Sequence, residues 1–146
     1  PVPYGRQTWE PLTRAAETPL FEAELGGEIP NGLGVGTGLD FEKGCYVGQE
    51  VVSRVENRGR PSRRLVGLAP ETVPAEGAAV FAGDEAVGEV TRAVDAPTHG
   101  GPAALALVGF DAAPGAVRVD GEDVPAERVD LPFVEGSERS ARLPSY

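Results

Sequence analysis

The chain has 146 residues with 13 basic and 23 acidic side chains, a net charge of −10, and enough length to bury one full core and part of another. A single cysteine excludes an internal disulfide framework and a metal-sulfur cluster held by this chain alone. No apolar run approaches the ~20 residues of a membrane span and no signal-peptide pattern opens the chain, so a soluble, cytoplasmic protein with no membrane partner is expected.

Taken in order, Thr8-Trp9-Glu10-Pro11-Leu12 suits a short helix, with Thr8 as cap, Pro11 in the first turn, and Trp9, Leu12 and Ala16 on one face. Phe21, Ala23 and Leu25 then alternate with Glu22 and Glu24, which predicts a short extended or edge segment ahead of a Gly26-Gly27 turn. The glycine-rich run from Ile29 to Gly38 lacks the Gly-Lys-Ser/Thr ending and the strand-loop-helix setting of a phosphate loop, so it reads as a structural connection.

Lys43-Gly44-Cys45-Tyr46-Val47-Gly48-Gln49-Glu50 carries the only lysine and the only cysteine of the chain. Val51, Val52 and Val55 recur at helical spacing after it, and Arg54 and Arg58 share a face, which predicts a helix from about Gly48 to Asn57. A helix start with free backbone N–H groups can hold an anion or activate a nearby thiol such as Cys45. The alternative is that Cys45 is a small packed hydrophobe and the glycines shape a turn.

Residues 43–64 hold six basic groups against two acidic ones, an island of +4 in an acidic chain. Such an island either receives an anion or is a solvated helix face whose arginines favour the helix C-terminus. The acidic remainder and the few aromatic rings argue against nucleic acid.

From Arg63 the periodicity changes to that of strands, over Leu65–Leu68, Ala78–Phe81, Ala86–Val94, Ala103–Phe110, Val117–Asp120 and Val124–Leu131. Asp120-Gly121 is a two-residue hairpin signal. His99, the one histidine, falls in the loop sequence Thr98-His99-Gly100-Gly101-Pro102 without partners for a metal site. Six short strands with regular turns predict a small antiparallel sandwich or barrel, and closure into a barrel removes exposed edges. The fold expected is a mixed α/β N-terminal segment followed by a mainly β unit, the barrel coming after the motif helix.

The Lys43–Glu50 stretch, the short helix after it and Arg58-Gly59-Arg60-Pro61-Ser62-Arg63-Arg64-Leu65-Val66-Gly67-Leu68 closely resemble the YgfZ family. The likeness runs from about Pro19 to Phe133, more weakly through Gly88-Glu89-Val90-Thr91, Asp95-Ala96-Pro97, Ala104–Val108 and Leu131-Pro132-Phe133. Those are folate-binding proteins tied to iron-sulfur enzyme maturation, related to the aminomethyltransferase (T-protein) of the glycine cleavage system. The family segment matching Pro19–Leu25 has a glycine after its aromatic residue, where this chain has Glu22.

The resemblance implies tetrahydrofolate or a derivative as ligand and iron-sulfur proteins as clients. It implies Cys45 as the reactive group. Lys43, Tyr46, Gln49, Glu50, Arg54, Arg58 and Arg60 would be the folate-binding set, with no metal. It also implies residues 1–62 as the remnant of a folate-binding body, 63–133 as a C-terminal barrel of the T-protein type and 134–146 as a tail. Family members are considerably longer, so a C-terminal portion is expected. Two other functional classes stay open: an aminomethyltransferase-type enzyme, whose true members usually lack the motif cysteine, and an interaction barrel without chemistry.

Overall fold

The computed structural model describes Thr13, Leu33 and Asp40 together with residues 18–28, 43–58, 61–96 and 101–129, with the backbone alone for 56–58 and 96. Helix α1 spans Gln49–Arg58, and the six strands are β1 (Arg63–Pro70), β2 (Ala79–Ala82), β3 (Glu85–Ala96), β4 (Gly101–Gly109), β5 (Ala116–Val119) and β6 (Glu122–Val129). The strands close into an antiparallel barrel in the order β1-β4-β3-β2-β5-β6. Strands β2, β3 and β4 form a meander, and β1 lies beside β4 after a long connection to β2, a Greek-key arrangement.

The interior is built from the inward positions of every strand, alternate except across a bulge in β3: Val66 and Leu68, Val80, Val90 and Ala93, Ala104, Ala106 and Val108, Val117, and Ala126. Val66 pairs with Ala106 and Leu68 with Ala104, so a large side chain of β1 meets a small one of β4. This is how a narrow barrel fills its lumen without a void. Gly88 marks the tightest point, because a Cβ there would lie 2.7 Å from Val108 Cα and closer still to the Leu107 carbonyl oxygen.

The predicted hairpin is present: Val119 pairs with Glu122, and Asp120 and Gly121 have φ of 51° and 88°. Two consecutive positive φ values identify a type I′ turn, whose twist matches the flanking strands.

Strand β4 is buried on both faces, which explains its uninterrupted apolar run. Its outward residues Leu105 and Leu107 join Leu65 of β1 and the buried Leu33, with Leu25 packed against them. Leu25 and Leu33 therefore lie on the outside of the β1–β4 wall.

Phe21–Leu25 is a π-helical turn, where alternation predicted an extended segment. The i→i−5 bonds run from Leu25 N–H to the Leu20 carbonyl at 3.1 Å and from Gly26 N–H to the Phe21 carbonyl at 2.7 Å. One of the two charged members of the alternating set is the buried one: Glu24 is 1% exposed, whereas Phe21 is 73% exposed. Glu24 folds back to accept the Leu20 N–H at 2.7 Å and pairs with Arg92 of β3 at 2.6 Å, so a tertiary ion pair overrides the local pattern. The Gly26-Gly27 turn is where the sequence places it. The expected Thr8–Ala16 helix lies outside the described residues apart from Thr13, which is helical. The Ile29–Gly38 connection lies outside them apart from Leu33, and the 134–146 tail lies wholly outside them.

Candidate functional site

Gly48, with φ of 88°, turns the chain into α1, one residue after the predicted start. The helix start does not leave its N–H groups as open as expected. Gln49 N–H donates to the Tyr46 carbonyl at 3.3 Å, and Val51 and Val52 N–H both donate to the Gly48 carbonyl at 3.1 and 3.4 Å. Helix α1 is anchored by Val52, which is buried, and by the half-buried Val55 and Gln49. Its outer side carries Glu50, Val51 and Arg54.

The predicted site residues gather into two pairs. The Lys43 ammonium lies 4.9 Å from the centroid of the Tyr46 ring, a cation-π distance, and the Lys43 backbone N–H donates to Asp40 Oδ1 at 3.2 Å. The Lys43 charge is thus placed over the tyrosine ring. Arg54 Nη2 and Glu50 Oε1 form an ion pair at 2.6 Å with both side chains mostly in solvent. Cys45 is a free thiol, exposed among the described residues rather than packed as a small hydrophobe. The Arg58 side chain and all of Arg60 lie outside the described residues.

Exposed apolar side chains accompany the two pairs along the chain. Val47 is fully exposed, Val51 is 52% exposed and Tyr46 is 37% exposed. Chemically, the stretch offers one thiol, a half-exposed ring with a cation over it, and a guanidinium already paired with a carboxylate. These groups can hold a flat ring bearing an acidic tail or receive a partner protein.

Sequence reasoning missed the most buried polar constellation. Arg92 and Glu24 have side chains 5% and 0% exposed. Arg92 also donates from Nη1 to Thr13 Oγ1 at 3.3 Å and from Nη2 to the Thr18 carbonyl at 2.5 Å. The one signal for it was an arginine inside the apolar run Val90–Val94.

Residues 63–135 match the glycine cleavage T-protein C-terminal barrel domain. The chain is 39% identical over 143 residues to an aminomethyltransferase of Streptomyces coelicolor, covering 90% of this chain and 38% of that protein. It is 41% identical over 56 residues to a mitochondrial iron-sulfur cluster assembly factor, an IBA57 homolog, of Neurospora crassa, covering 34% and 12% of the two chains. Among solved structures, the glycine cleavage system aminomethyltransferase T of Bartonella henselae is similar with a TM-score of 0.51 and 28% identity, over 60% of this chain and 26% of that one. The chain therefore spans under two-fifths of the length of the curated relatives it matches. No helix among the described residues is long and apolar enough to cross a membrane.

Proposed function

The chain belongs to the glycine cleavage T-protein C-terminal barrel family, and from that premise we propose that it is a tetrahydrofolate-binding accessory protein for the maturation or repair of iron-sulfur enzymes, of the YgfZ kind. The observation that carries this reading is the exposed Cys45 thiol within the Lys43–Glu50 motif, flanked by a lysine-capped tyrosine ring. The likeness to an iron-sulfur cluster assembly factor supports the same branch. In this reading residues 1–62 belong to the folate-binding side, 63–133 form the barrel and 134–146 are a tail.

The residues suit such a ligand. Tyr46 would line one side of the pterin slot, and Gln49 and Glu50 would face ring nitrogens. Lys43, Arg54, Arg58 and Arg60 would be the cationic anchors for the glutamate tail. When bound, tetrahydrofolate supplies a one-carbon carrier, and Cys45 supplies a nucleophilic thiol beside it.

Calorimetric titration of tetrahydrofolate into the complete gene product and into the 146-residue chain tests the reading. Binding by the complete product is expected, with weak or absent binding by the shorter chain. Loss of one arginine–carboxylate contact, as in Arg54→Ala, should weaken binding about tenfold to a hundredfold. Absence of binding by either protein would leave a non-catalytic interaction barrel.

Identity of 39% over nine-tenths of this chain favours a second reading, an aminomethyltransferase-type enzyme that transfers a one-carbon unit to tetrahydrofolate. Cys45→Ala separates the two. The accessory reading expects retained tetrahydrofolate binding and lost activity of the iron-sulfur client enzymes in cells. The transferase reading expects one-carbon transfer at the wild-type rate.

A further inference from the structure

Strand β3 would present Arg92 to the barrel interior if its alternation were unbroken after Val90. Instead the pairing with β4 shifts between Val90 and Arg92: Val90 faces Ala106, while Arg92 faces Leu105. Thr91, at the bulge, donates its hydroxyl to the Leu105 carbonyl at 3.1 Å. The extra residue turns Arg92 to the outer wall and returns Ala93 to the interior, which is the re-aiming that bulges perform.

From that position one guanidinium reaches three points of the N-terminal segment: Glu24 Oε1 from Nε, Thr13 Oγ1 from Nη1 and the Thr18 carbonyl from Nη2. Glu24 uses its second oxygen on the Leu20 N–H. A buried ion pair is a weak source of net stability, because desolvation offsets the attraction, but separating its partners leaves an uncompensated buried charge, so Glu24 is held at Arg92. Leu25, next to Glu24, and Leu33, ten residues before Lys43, then lie on the outer wall against Leu65 and Leu107.

We propose that Arg92 is a positioning residue: its clamp on Thr13, Thr18 and Glu24 holds the segment ahead of the Lys43–Glu50 stretch against the outer wall of the barrel, and through it bears on the geometry of the ligand site. The ligand half of this statement rests on the tetrahydrofolate reading above. The clamp itself rests only on the buried contacts.

Two variants of the complete gene product test it. Arg92→Lys keeps the charge beside Glu24 but cannot fork to three acceptors. The double variant Arg92→Met/Glu24→Leu removes both charges while keeping the buried volume. Thermal melts report folding, iodoacetamide labelling of Cys45 reports the geometry of the stretch, and calorimetry reports tetrahydrofolate affinity. The double variant is expected to melt near the wild type yet to label Cys45 at a rate changed about threefold or more and to bind tetrahydrofolate about tenfold more weakly. Arg92→Lys is expected to move both in the same direction by less. Wild-type labelling rates in whichever variant is folded would overturn the clamp as a positioning device. If the wild-type protein binds no tetrahydrofolate, the ligand half falls with the folate reading, and the Cys45 rate alone decides the clamp.

Discussion

Valines in two parts of this chain meet opposite fates. In the barrel, Val66, Val80, Val90, Val108 and Val117 are buried to 2% exposure or less, whereas Val47 and Val51 of the motif are exposed. Barrel valines are placed by alternation and by closure of the sheet, which leaves each inward side chain surrounded. Motif valines sit on a helix start held by one buried side, at Val52, with nothing in the described residues packed over the other. The barrel is organised by its own packing, and the motif is mostly surface. Contiguous exposed apolar groups beside paired charges are a feature of recognition surfaces.

The sharpest break of that comparison is inside the barrel. Leu68→Ala removes a fully buried side chain opposite Ala104, where the small partner cannot fill the space, and should cost about 2 to 5 kcal/mol in urea unfolding. Gly88→Ala presses a methyl group into the β4 backbone and should cost about 1 to 3 kcal/mol, because the neighbour is main chain and cannot swing aside. Gly121→Ala forces a side chain into positive φ and should cost about 1 to 2 kcal/mol. On the motif side, Val47→Ser should stay within about 0.5 kcal/mol of wild-type stability. A large loss there would mean that Val47 is packed, and the contrast would collapse.

The barrel was legible because its rules are local and repeated. Period-two alternation, and for β4 an unbroken apolar run between turn residues, located the six strands, and Asp120-Gly121 specified its turn through backbone sterics alone. The motif was legible as a position, and its pairs are local in sequence: Tyr46 is three positions after Lys43, and Arg54 is four after Glu50, one helical turn on. What could not be read was whatever depends on distant chain. Glu24 and Arg92 are 68 residues apart, and neither the β3 bulge nor the π-helical turn has a local sequence signature. The same contact reversed the expectation for Phe21–Leu25, since alternation cannot report that one of its two acidic members, Glu24, is buried. Burial of Leu33 within a glycine-rich connection was likewise a matter of which wall it met.

The smallest effect concerns the Glu50–Arg54 pair. Its 2.6 Å separation is short, but both groups are mostly solvated, so water and salt screen the attraction and the ordering of two long side chains opposes it. A double-mutant cycle of Glu50→Ala and Arg54→Ala in urea should give a coupling of about 0.3 to 0.5 kcal/mol, shrinking at high salt. The same cycle read by tetrahydrofolate titration should not be symmetric. On the proposed folate reading, Arg54→Ala removes an anchor for the ligand's carboxylates and Glu50 is a group facing its ring. Glu50→Ala frees that anchor from a competing carboxylate but removes a group facing the ring, so its loss should be smaller than that of Arg54→Ala. Equal losses from the two single variants would mean that the ion pair acts as one unit in recognition, and that Arg54 meets the ligand only as Glu50 presents it.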